Sequence, residues 1–212
     1  MLDSKGFDLW SGDYDKTVNV TDINNNYPFA GYKDLLNSIY RTIMNKRPAT
    51  ILDIGIGTGT LALKLYEGGN SITGIDFSKD MLEKTKSKMP EAILFECDFS
   101  KGLPPELQDR KYDFIISTYA FHHLSDKEKI SFIFKLIDYL NDNGVILIGD
   151  VAFQNRADLE ACKSSYGSEW DDDEHYIVFS ELSETLRSKY SLEYNQVSLC
   201  AGLLTITPLV AV

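Results

Sequence analysis

Beyond Pro48 the chain alternates between short apolar runs and longer stretches in which apolar residues return every three or four positions. The runs Thr50–Ile54, Ser71–Ile75, Ala92–Cys97, Tyr112–Thr118 and Val145–Val151 are almost continuously apolar. That pattern predicts strands of a parallel sheet covered on both faces. Between them, helical spacing predicts helices at about 58–67, 79–89 and 126–141. Ser78 is placed to start the second, and Lys84, Lys86 and Lys88 in its last turns suit the helix dipole. Ser125 with Glu128 forms a capping box for the third, and Asn143-Gly144 is expected to close it. Ahead of this alternation, Leu35, Leu36, Ile39, Tyr40 and Ile43 mark a helix within residues 29–46 that Pro48 ends. Residues 1–28 are polar and acidic; Phe7, Trp10 and Tyr14 fall on one face of a short helix, and Asn24–Asn26 with Pro28 break it off. After a helix at about 180–189, the runs Leu192–Leu199 and Leu203–Val210 are joined through Ala201-Gly202. Strands so closely joined must be antiparallel, because a parallel crossover needs a dozen residues or more. The pattern therefore predicts an α/β fold, a doubly wound and mostly parallel sheet that finishes in an antiparallel hairpin.

Composition narrows the function classes. The chain has 212 residues, 43% hydrophobic and 25% charged, enough for one domain with a sizeable core. Its formal net charge of −11 argues against nucleic acid or an anionic membrane as the main partner, since both call for clustered Lys and Arg. Cys97, Cys162 and Cys200 are odd in number, far apart and without metal-ligand spacing, so they read as reduced thiols of a cytoplasmic protein. No signal peptide or membrane span is expected.

The chemistry concentrates at the ends of the predicted strands. In Leu52–Thr60, LDIGIGTGT, a buried strand passes through a glycine-rich turn directly into a helix. Gly55, Gly57 and Gly59 remove Cβ atoms where a ligand would approach, and the helix start offers free N–H groups. A dinucleotide fingerprint would need glycine at position 60, which is Thr60, and a P-loop would need a Gly-Lys-Ser/Thr that is absent. Asp76 ends the next strand in TGIDFS, 21 residues after Gly55, where a carboxylate can accept both hydroxyls of a ribose. Asp98, in ECDFS past the third strand, suits an adenine amine. The fourth strand runs through YDFIISTYAFHHLSD into a loop with His122 and His123.

These segments resemble the class I S-adenosylmethionine (SAM)-dependent methyltransferases. LDIGIGTG looks like the first motif of that family, GIDFS the second, ECDF the third and YDFIISTYAFHHLSD the fourth, with GVILIGDVAF as the strand that follows. The resemblance covers about residues 30–212; YAFHHLSD is especially similar to the YrrT-like branch, and FDLWSGDYDKTV to the N-terminal lid of small bacterial members. It implies a Rossmann-like, seven-stranded sheet with its last strand antiparallel. It also implies SAM as cofactor, S-adenosylhomocysteine (SAH) as product and a small-molecule substrate. Carried over, Gly55 and Gly57 would line the methionine part of SAM, and Asp53 would hold the glycine loop or the bound amino group. Asp76 would take the ribose hydroxyls, Asp98 the adenine amine with the Cys97 backbone alongside, and Thr118 would lie near the sulfonium. The Asn/Asp-Pro-Pro-Tyr/Phe motif of amino-methylating DNA and glutamine enzymes is replaced by Ser117-Thr118-Tyr119-Ala120, and the Pro-Cys of cytosine C5 enzymes is missing.

The acceptor side is less determined. His122 and His123 titrate in the range needed to deprotonate a substrate, or they hydrogen-bond to backbone at the head of a helix. Tyr14 is the candidate of residues 1–28, the expected lid, for reaching the reacting atoms. The expected substrate-cap insertion at 153–180 carries Tyr166, Trp170 and Tyr176, which either shape selectivity or simply pack. His175 follows Glu169–Glu174, in which five of six residues are acidic; a solvated loop is expected there rather than a metal site. A non-catalytic SAM-binding regulator and an NAD-dependent oxidoreductase are the rival readings.

Overall fold

The computed structural model describes residues 26–209. Helix α1 (Tyr32–Met44) leads into β1 (Thr50–Ile54), α2 (Thr60–Glu67), β2 (Ser71–Asp76), α3 (Lys79–Lys88) and β3 (Ile93–Glu96). Then follow β4 (Tyr112–Thr118), α4 (Asp126–Ile137), β5 (Leu140–Phe153), α5 (Arg156–Tyr166), the two-residue β6 (Ile177–Val178), α6 (Phe179–Leu186), β7 (Tyr190–Gln196) and β8 (Ala201–Pro208). The main sheet runs β3-β2-β1-β4-β5-β8-β7, and β6 adds to β5 beside it. β3, β2, β1, β4 and β5 pair in parallel, whereas β8 pairs antiparallel with both β5 and β7. The expected doubly wound sheet with an antiparallel C-terminal hairpin is thus present.

Alternation along the strands sorts the core onto two faces. Ile51, Phe114, Ile116 and Leu147 pack with Leu35, Ile39, Ile43 and Leu65 from α1 and α2. Leu52, Ile54, Ile115 and Ile148 pack on the opposite face with Phe132, Ile133 and Leu136 of α4 and Leu186 of α6. Both faces are covered, which is why these strands read as continuous apolar runs.

The structure moves three boundaries. The helix expected at 126–141 stops at Ile137, where Asp138 and Tyr139 donate back to Lys135 and Leu136 and tighten the last turn. Asn143-Gly144 therefore closes no helix. It lies inside β5, with Asn143 at φ 62°, beside a register shift opposite Tyr112 and Phe114. Ala201-Gly202 is likewise no turn but the start of β8; residues 197–200 make the connection. Gly202 is required by packing, since a Cβ there would come within 2.5 Å of the Tyr194 hydroxyl. The segment 153–180 is more than a loop, because it contains α5 and β6. The expected helix bearing Phe7, Trp10 and Tyr14 lies outside the described residues.

Candidate active site

A cleft opens at the carboxyl ends of β1, β2 and β4, where an open α/β sheet binds its ligands. Asp53, Gly55, Gly57, Asp76, Thr118 and His123 line it. Sequence reasoning missed several other walls: Tyr32, Phe77, Met81, Phe99 and Tyr119. Phe77 is the residue after Asp76, so its place in the motif was the available signal. Tyr119, next to Thr118, carried the same signal; Tyr32 had none, because only the packing of α1 brings it to Tyr119, with ring centroids 5.3 Å apart.

The glycine loop is built by β1 running out of partners. Gly55 and Ile56 both donate to the Ile75 carbonyl, and Asp76 then holds the loop from the next strand. One Asp76 oxygen accepts from the Gly57 N–H at 2.8 Å and the other from the Ser78 N–H at 2.9 Å. Ser78 caps α3 by accepting from the Met81 N–H, as its position in the sequence predicts. Asp76 therefore braces two backbone turns at the lip of the cleft. The three glycines do different work. At Gly57 (φ 54°) a Cβ would meet open space. At Gly55 (φ 73°) it would come within 2.6 Å of Ala120 Cβ, and at Gly59 it would press on Met89 and Thr85. All three take a left-handed φ that favours glycine; close packing adds a second demand at Gly55 and Gly59, while the Cβ direction at Gly57 is open.

Asp53 is buried in the cleft wall, and its Oδ1 has no hydrogen-bond partner among the described residues. Burial, reinforced by the neighbouring Asp76 carboxylate, pushes its acid up to about 8. Burial of this kind favours the neutral acid, and a cation placed beside it would favour the ionised form. Asp98 and Cys97 sit differently from the wall residues. Asp98 Oδ1 accepts from the backbone and hydroxyl of Ser100, and Oδ2 pairs with Lys101 at 2.9 Å. Burial raises the Asp98 acid, but these bonds outweigh it and hold it below the usual range. The Cys97 N–H donates to the Asp76 carbonyl and its thiol to the Gly102 carbonyl.

On the far side, β4 ends at Thr118, and Tyr119 takes a left-handed φ of 50°, an uncommon conformation for a bulky residue. The chain thereby turns into a short 3₁₀ helix, Phe121–His123. His122 Nδ1 lies 2.6 Å from Asp150 Oδ1, and the His122 N–H donates to the other Asp150 oxygen. Burial alone would push the His122 ring down, but the Asp150 carboxylate raises it above its ordinary value. His123 Nδ1 lies 3.0 Å from Glu174 Oε2. Burial raises the Glu174 acid, yet its histidine partner holds it low. The acidic run 169–174 is therefore not uniformly solvated: its last member turns inward. Asp150, an acid inside an apolar strand, was a legible signal, whereas the pairing of Glu174 was not.

Similarity places this geometry in a family. Residues 51–144 match the family model described as "Methyltransferase domain". An uncharacterized methyltransferase of Bacillus cereus is 38% identical over 189 residues, spanning 87% of this chain and 80% of that one. Its counterpart in Geobacillus thermodenitrificans is 36% identical over 186 residues, 84% and 83% of the two chains. The chain belongs to the methyltransferase family of these relatives. A DhpI–SAH complex shares the fold, with a TM-score of 0.68 at 17% identity over 97% of this chain and 94% of that one. Among the described residues, no helix is long and apolar enough to cross a membrane.

Proposed function

We propose that this methyltransferase binds SAM across the glycine loop and methylates a small-molecule acceptor presented beside His123. The observation that carries the reading is the conjunction of a partnerless, buried Asp53 oxygen with an open Cβ direction at Gly57 in one cleft. Asp53 would meet the amino group of SAM, Gly55 and Gly57 its methionine part, Asp76 the ribose hydroxyls, and Thr118 would stand near the sulfonium. Asp98, together with the Cys97 backbone, would approach the adenine edge from outside the lined wall. When bound, SAM supplies a methyl already activated by its positive sulfur. What remains for the protein is to align the acceptor and keep water out, where effective molarities of roughly 10⁵–10⁸ M are attainable. His123 and His122 are the proposed acceptor-side catalytic residues, and Tyr14, outside the described residues, is proposed to reach the site from a lid. The chain's charge of −11 favours a small acceptor over nucleic acid.

Two variants test this. Asp76→Ala should stay folded and lose SAM affinity by about 10- to 100-fold, as expected for charge-assisted bonds of roughly 1.5–3 kcal/mol. Unchanged affinity in calorimetric titration would remove the site assignment. His123→Asn should lower turnover of labelled methyl groups far more than SAM affinity. Equal loss of both would make His123 part of the cofactor cradle instead.

A further inference from the structure

We infer that His122, His123 and Glu174 form a binding site for a divalent first-row transition cation on the acceptor side of the cleft. The inference deepens the proposed function and rests on it only for what the cation does, not for whether it binds. One donor atom from each of the three side chains lies within 4.8 Å of the other two. Ligands on a tetrahedral ion stand roughly 3.3–3.6 Å apart, given bonds of about 2.0–2.2 Å. His123 Nδ1 and Glu174 Oε2 lie 3.0 Å apart, a little closer than that spacing.

The arrangement around these donors is that of a supported site. Asp150, fully buried, takes Nδ1 of His122 at 2.6 Å, so the ring's Nε2 is the nitrogen it offers. A carboxylate behind a ligating histidine fixes the ring and makes it a better donor. Glu174 comes from a separate segment, which the backbone ties down: the His175 N–H donates to the His122 carbonyl at 2.9 Å. Lys129, itself buried, donates to the carbonyls of Leu124 and His175, one on each segment, at 2.5 Å apiece. Asp126 Oδ1 lies 3.5 Å from the Lys129 ammonium and answers its charge, while Asp150 and Glu174 each hold one histidine. Two imidazoles and one carboxylate suit zinc, cobalt, nickel or iron rather than magnesium or calcium, which prefer oxygen donors. Because His123 also lines the cleft, an acceptor hydroxyl or thiol can complete the coordination, giving its proton to solvent.

The test is zinc titration of the full-length protein by calorimetry, with cobalt titrated in parallel and followed by visible absorption. We expect one equivalent bound with micromolar or tighter affinity. Glu174→Gln and His123→Asn should each weaken it at least tenfold, and Asp150→Asn by about 10- to 100-fold. Two separate single-ligand variants keep the test open if one fails to fold by circular dichroism. Failure of both ions to bind, or binding that a folded Glu174→Gln or His123→Asn leaves unchanged, overturns the site. SAM affinity of the metal-free protein, measured alongside, tests the cofactor reading independently.

Discussion

At the scale of single residues, Asp53 makes a prediction about pH. Its acid is raised to about 8 in the folded protein, whereas in an unfolded chain it returns to about 3.9. Between those values the folded state holds a proton that the unfolded state has released, so Asp53 lowers stability as pH rises through that window. A cationic ligand reverses the preference, because it favours the ionised acid and expels the proton. SAM affinity should therefore climb between pH 6 and pH 7.5, by up to about tenfold per unit, while proton release is detected by calorimetry in buffers of different ionisation enthalpy. Asp53→Asn should flatten that profile and raise stability at pH 8. A wild-type affinity that stays level across the range would mean that Asp53 does not face the ligand's charge. Asp76 illustrates the other half of the residue scale. Its spacing from Gly55 was legible, but its two backbone bonds, to Gly57 and Ser78, became visible only in three dimensions.

At the scale of elements, the segment between β5 and α6 is held by aromatic packing and carries Glu174 of the proposed acceptor side. Trp170 is buried against Tyr27, stacked at 4.9 Å, and meets Tyr176 edge-on at 4.9 Å. The hydroxyls of Tyr27 and Tyr176 touch, and the Asp171 N–H donates to Tyr27. These contacts clamp the chain just ahead of α1 to the segment bearing Glu174. The rings at 166, 170 and 176 thus pack, which was one of the two roles their sequence left open. Trp170→Ala should cost about 3–5 kcal/mol, read as a lower denaturant midpoint. Methyl transfer should fall as well, because Glu174 loses its support; a variant with full turnover and lowered stability would separate the clamp from the site. Element boundaries failed where local signals were overridden. Asn143-Gly144 looks like a helix end because those residues favour left-handed backbone, but pairing of β5 with β4 claimed them for a strand irregularity.

Over the whole molecule, cofactor binding should appear as stability. A ligand at 100 times its Kd adds about 2.7 kcal/mol, which for a chain of this size moves the melting temperature by about 5–11 °C. SAM and SAH should produce that shift and NAD none. A shift with NAD alone would restore the dinucleotide reading that Thr60 argues against.

The linear pattern of this chain determined its sheet, because continuous apolar runs separated by helical periodicity leave few other ways to bury both faces. It also determined the acid and glycine spacings of the cofactor side, since those follow from one strand, one turn and one helix in succession. The proposed acceptor side belongs to tertiary structure. His123 and Glu174 are 51 positions apart, His122 and Asp150 are 28 apart, and each pair meets only because the chain beyond β4, the later part of β5 and the segment before α6 come together at the carboxyl ends of the parallel strands. Local sequence fixes which groups are available, whereas long-range packing fixes which of them face each other.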